Sequence, residues 1–170
     1  MRLYHGSVNM IEEPEFGVGN SKNDYGQGFY CTEHIELAKE WACAENRDGF
    51  ANEYELETDG LSIMNLSDAR YHILNWLAIL LENRTFVIER GLALTAKDYI
   101  LSEFLPEYKN ADVIRGYRAD DSYFSFASAF LNNTITLEQL GKAMTLGKLG
   151  EQVVLKSKRS FAQLKYSRAI

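Results

Sequence analysis

The sequence predicts a mixed α+β domain, with helices segregated from a split, antiparallel-leaning sheet. Three observations lead there. Short runs with period-two alternation, such as Glu53-Tyr54-Glu55-Leu56-Glu57, are bounded by turn residues. Stretches with apolar residues three and four apart stand between them, as in Ile73, Leu74, Leu77, Ala78 and Leu81. The chain has 170 residues, 46% hydrophobic and with two prolines, so it can bury one core, and residues 1–170 read as a single domain.

Taken in order, Leu3 and Tyr4 favour an extended chain that Gly6 ends. Val8 to Gln27 is polar and carries Gly17, Gly19 and Asn20, a loop long enough to be functional. Gly26 and Gly28 lead into a strand with Phe29, Tyr30 and Cys31. A helix follows from His34 to about Asn46, with Thr32 as N-cap and Ile35, Ala38 and Ala42 on one stripe; Trp41 reads as core, or as the flank of a slot. Tyr54 and Leu56 point inward on the next strand, Asp59-Gly60 turns, and Leu61 to Asn65 is extended again. Asn65 or Ser67 caps a helix to about Asn83. Glu89 to Glu103 is helical and Pro106 stops it. Asp112 to Arg115 is a strand. An aromatic-rich helix follows Asp120-Asp121, and Thr136 caps another. Glu151 stands before a buried strand, Gln152 to Leu155, and Phe161 to Leu164 reads as one more.

Net charge is −6, so the whole molecule is no electrostatic nucleic-acid binder. Residues 1–60 carry 4 Lys/Arg against 13 Asp/Glu, and residues 148–170 carry 6 against one. The basic end reads as lysines guarding a sheet edge, or as a cationic rim for a pyrophosphate. Two cysteines make no disulfide framework, and Cys31 reads as a small buried hydrophobe. Met1-Arg2 leads into Leu3 without an apolar run, and Trp76 to Leu81 is far short of the ~20 residues of a membrane span. The expected setting is cytoplasmic, with no membrane partner. Three scattered histidines offer no metal-ligand spacing, and there is no nucleophile elbow.

Two stretches carry the chemistry. In Leu3-Tyr4-His5-Gly6-Ser7, Gly6 lets a ligand lie on the main chain and His5 offers a donor and an acceptor on one ring. In Asp24-Tyr25-Gly26-Gln27-Gly28-Phe29-Tyr30-Cys31-Thr32, Tyr30 offers a stacking face and a hydroxyl. Together they make a slot for a planar, amide-bearing ring. These residues resemble the first two signatures of the ADP-ribosyltransferases of the poly-ADP-ribose polymerase and diphtheria-toxin type, which set a His, a Tyr and a Glu around NAD. The chain is most similar to a family of small, uncharacterised bacterial proteins of that fold, through these motifs, Ala38 and Trp41 on the following helix, Ala119-Asp120-Asp121, and the acid-Gln pair Glu151-Gln152.

The resemblance implies an ADP-ribosyltransferase-like fold with NAD as substrate and no metal. It gives Gly6 the nicotinamide carboxamide, Tyr30 the ring, His5 the adenosine ribose and Ser7 the strand end, with Gly28 and Trp41 beside the slot. It makes Glu151 the third signature, the acid beside the ribose. Read alone, Glu151 is a gatekeeper charge. In the similar bacterial family the Gln is the steadier feature, so either Glu151 or Gln152 faces the ribose. Neighbouring strand side chains point oppositely, and the choice here is Glu151. Asp120, Asp121 and Tyr123 suit a helix N-terminus; alternatively Asp121 and Tyr123 line the acceptor side, where acids would suit a cationic acceptor. The implied activity is mono-ADP-ribosyl transfer to a macromolecule, protein rather than nucleic acid, with a small antitoxin protein as a candidate partner. The rival readings are an inactive NAD, ADP-ribose or protein-binding module of the same fold, and an NAD glycohydrolase.

Overall fold

The computed structural model describes residues 1–43, 47–88, 91–119, 121–145 and 150–170, without the side chains of residues 121–123. Among the described residues, seven strands form two sheets. The first is antiparallel, in the order β1 (Arg2–Ser7), β3 (Phe50–Leu56), β7 (Leu164–Ala169). The second runs β2 (Phe29–Cys31), β6 (Glu151–Leu155), β5 (Val113–Tyr117), β4 (Ile63–Asn65), and only its β4–β5 pair is parallel. Leu3 and Leu56 of the first sheet meet Cys31, Val113, Val153 and Leu155 of the second in one buried cluster. Outside the named strands, a bridge between Tyr4 and Thr32 links β1 to the end of β2.

The larger core lies on the other face of the second sheet. There α2 (Ile73–Asn83) buries Leu74 and Trp76 through Leu81, against Ile114 and Val154. Helices α3 (Leu92–Phe104), α4 (Asp121–Leu131) and α5 (Leu137–Thr145) complete this layer. Helix α1 (Ile35–Ala42) instead packs on β1. Among the described residues no helix is long and apolar enough to cross a membrane.

Several local expectations change. The first strand does not end at Gly6 but runs through Ser7, because Gly6 and Ser7 pair with Ala51 and Phe50. The N-cap of α1 is His34, not Thr32; Thr32 is buried and its Oγ1 accepts from the His34 N–H. The expected end of α1 near Asn46 lies outside the described residues. Helix α2 starts at Ile73, later than an Asn65 or Ser67 cap implies, with His72 and Asn75 in a reciprocal capping box. Phe161 to Ala162 belongs to a short helix, α6 (Lys158–Ala162), capped by Ser157, and the last strand starts at Leu164. The Thr136 cap on α5 is present: Thr136 Oγ1 accepts from Gln139 N–H at 3.2 Å and Gln139 returns the bond.

Candidate functional site

The candidate site begins where β1 and β2 part. Tyr4 exchanges both backbone hydrogen bonds with Thr32, at 2.8 and 2.9 Å. Its main chain therefore points toward β2, and by strand alternation so does that of Gly6. A regular ladder would next join Gly6 to Tyr30. Instead the Tyr30 carbonyl is bonded by His5 Nδ1 at 2.7 Å. The pairing stops after one rung, and the Gly6 N–H and C=O have no hydrogen-bond partner among the described residues. A carbonyl only accepts, so Nδ1 carries the proton and Nε2 is the acceptor. Burial holds the imidazole pKa below its usual value, which favours that neutral ring. Phe29 supports the ring, with centroids 4.3 Å apart.

Tyr30 lies between two cavities of about 410 Å³ each. The first is lined by Asn23, Asp24, Tyr30, Trp41, Arg84, Arg118, Ala119 and Gln152. The second is walled by His5, Gly28, Phe29, Tyr30 and Phe161, and by residues of the long loop from Ile11 to Gly19. The phenol is locked: its hydroxyl donates to the Gly26 carbonyl at 2.6 Å and accepts from the Tyr25 N–H at 3.0 Å. Burial raises its pKa far above the ordinary phenol value, so the ring acts as a neutral wall. The turn that holds it is itself held, since Lys156 Nζ donates to the Tyr25 and Gln27 carbonyls, each at 2.5 Å.

The adjacent pair on β6 separates as period two requires. Tyr30 pairs with Val154, so Gln152 shares its face of the sheet and reaches the first cavity. Gln152 Nε2 donates to Asp24 Oδ2 at 2.9 Å. Asp24 also accepts from the Ala119 N–H and from Arg84 Nη1, both at 2.9 Å. It is buried, and desolvation outweighs these three bonds to raise its carboxyl pKa. Glu151 lines neither cavity. Its carboxylate takes Arg115 Nη2 at 2.8 Å and Ser67 Oγ at 3.0 Å, while Arg115 also bridges Glu33 at 2.7 Å. Burial works to raise the Glu151 pKa, and these hydrogen bonds outweigh it to lower it. Glu151, expected beside the ribose, thus faces Arg115 and Ser67, while Gln152 lines the first cavity with Tyr30 and His5 lines the second with Tyr30.

The other expected residues fall as follows. Gly6 and Ser7 line neither cavity. A Cβ on Gly6 would lie 2.0 Å from the Ala38 carbonyl oxygen, so its open face is filled by α1, and only its main-chain edge remains for a ligand. Ser7 Oγ donates to the Asn9 carbonyl and accepts from Asn52, steadying the strand end. Gly28 lines the second cavity, its Cα against Val154. Trp41 is half-buried rather than core and sits beneath the Arg118 guanidinium, 5.5 Å from the ring centroid. The side chains of Asp121 and Tyr123, and Asp120 as a whole, lie outside the described residues. Asp24, Arg84 and Arg118 were not legible as site residues. The one available signal was that Asp24 opens the glycine-rich motif.

Comparison with curated proteins and with solved structures returned no match. One family model, whose description is "Protein of unknown function (DUF3990)", matches residues 1–166. With nearly its whole length matched, the chain belongs to the DUF3990 family.

Proposed function

We propose that the two cavities flanking Tyr30 together bind NAD and that the protein is an NAD-dependent mono-ADP-ribosyltransferase of the His-Tyr type, with an amide at the third position. The observation that carries the reading is the interrupted rung: an N–H and C=O at Gly6 without a hydrogen-bond partner among the described residues, beside Tyr30 and the His5 ring. A carboxamide has the complementary donor and acceptor. Tyr30 supplies the flat wall, and His5 Nε2 can accept from a ribose hydroxyl.

Cleavage breaks the bond between nicotinamide N1 and ribose C1′. The bonding pair leaves with nicotinamide, and positive charge develops at C1′ as in glycoside cleavage. The acceptor's nucleophile then bonds C1′ and gives its proton to solvent. Gln152 gives Nε2 to Asp24, so its Oε1 is the end available to the ribose. The buried carboxylate polarises that amide and increases negative character at Oε1, which opposes the developing charge. The acceptor is read as a macromolecule, and in a toxin–antitoxin setting a small antitoxin protein would be the partner.

The test is nicotinamide release from NAD with candidate acceptors. Gln152→Ala should lower release by about 10²–10³-fold, while Glu151→Gln stays near wild type. The opposite ranking would return the third role to Glu151. The amide itself favours a second reading, a binding module of this fold. Saturable NAD or ADP-ribose binding with no release from any acceptor would establish it, and absence of both would end the NAD reading.

A further inference from the structure

We propose that the second cavity is selective: its Glu13–Glu15 wall admits a nucleoside whose ribose is unphosphorylated and turns away one bearing a ribose phosphate, so that NAD is preferred over NADP. The inference deepens the NAD reading and rests on it for the identity of the ligand. Gln152, which that reading sets against the nicotinamide ribose, lines the first cavity, so the other nucleoside falls across Tyr30 in the second. At about 410 Å³ this cavity is of small-ligand size. Phe29, Tyr30 and Phe161 give it flat apolar walls, which suit a base. The His5 ring lines it too. With Nδ1 given to the Tyr30 carbonyl, Nε2 is left as an acceptor without a partner among the described residues.

The cavity is the site, and the acids set what it rejects. Residues 3–21 hold Glu12, Glu13 and Glu15 and no Lys or Arg, and of these Glu13 and Glu15 line the cavity. Among the described residues neither carboxylate is taken by an ion pair or a hydrogen bond, and no described lining residue is a Lys or Arg. Two lysines close by are engaged elsewhere: Lys156 holds the Tyr25 and Gln27 carbonyls, and Lys158 stands 5.9 Å from the Phe16 ring centroid. The acid-bearing stretch is pinned at both ends. Ile11 donates to Asn52 Oδ1 at 3.0 Å and accepts from the Tyr54 hydroxyl, while Gln27 Nε2 donates to the Gly17 and Gly19 carbonyls at 2.6 and 3.0 Å. Between these ties Phe16 packs edge-on against Phe161 of the cavity wall, centroids 5.5 Å apart. The imidazole nitrogen and the carboxylates are all acceptors, which match ribose hydroxyls and a base amine. A ribose phosphate brings only more acceptors and close to two negative charges. It would lose water without gaining a cationic donor and would meet two like charges. Both glutamates are exposed, so salt screens part of that repulsion.

Calorimetric titration of the full chain with adenosine, adenosine 2′-phosphate, NAD and NADP tests the selection. Adenosine and NAD should each bind at least ~10-fold more tightly than the phosphorylated counterpart, and the gap should narrow as salt rises. Glu13→Gln and Glu15→Gln in one chain should narrow it roughly 3–10-fold at low salt. Both positions are exposed, so the double variant keeps the fold. Equal affinity for NAD and NADP, or a gap unchanged in that variant, overturns the inference even if NAD is cleaved. The expected gap between adenosine and its 2′-phosphate, without any binding of NAD, upholds the selective cavity and ends the NAD reading. Binding of none of the four overturns both.

Discussion

A single methyl group at position 6 would lie 2.0 Å from the Ala38 carbonyl oxygen and 2.8 Å from the Ala42 nitrogen. Gly6→Ala should therefore cost about 1–3 kcal/mol or more in chemical denaturation, by forcing α1 off β1. The need for glycine was visible in the sequence, but its reason was not: the absent Cβ admits helix α1 against β1. The same limit governs the Glu151-Gln152 pair. Period two says that only one can face the cavity. Which one depends on Tyr30 pairing with Val154, a register set by a strand more than a hundred residues away. Tyr30 and His5 were legible because both lie in short motifs. Asp24 became visible as a site residue only through Gln152, Arg84 and Ala119, all distant in sequence.

Among elements, the turn from Tyr25 to Gly28 has the least regular structure and the greatest consequence for the cleft. Gly26 adopts φ +74°, and the Lys156 ammonium holds the carbonyls on either side of it. Burial depresses the Lys156 pKa. Lys156→Met should remove these charged hydrogen bonds, lower stability by roughly 1–3 kcal/mol, and speed amide hydrogen exchange over residues 25–30. Ligand affinity should fall with it, since the Tyr30 hydroxyl is anchored to this turn. The period-two strands and the long apolar stripe of α2 were readable because burial on one face leaves a pattern. Short elements were not. His72 caps α2 through its ring, an uncommon choice, and α6 is five residues fixed by Ser157 and Ser160 rather than by periodicity.

At the scale of the molecule, the charge asymmetry along the chain is met in part within the first sheet. Arg168 and Arg2 bridge Glu53, and Lys165 bridges Glu57, so basic β7 lies beside acidic β3. Strand β7 ends the order β1-β3-β7 and is thus an edge strand, and its basic side chains are paired to acids in β3 and immediately after it. Across the second sheet, Glu151 and Asp112 have carboxyl pKa values lowered in the fold, Glu151 because hydrogen bonds outweigh burial and Asp112 through the Ser157 hydroxyl. Groups depressed in this way stabilise above their unfolded pKa, and that contribution is lost as pH falls through the folded value. Urea midpoints should thus drop on going from about pH 6 to about pH 3, and Glu151→Gln should lessen the drop by at most ~1 kcal/mol. Asp24, raised by burial, acts with the opposite sign and partly offsets it. The meeting of the two sheets at Tyr4 and Thr32 carries one more consequence. The imidazole at position 5 works as a wedge that keeps a zipper from closing one tooth further. Trimming it to alanine should let the Gly6 amide find the Tyr30 carbonyl, seen as slowed exchange at that amide, so that deleting a side chain seals the opening it once guarded.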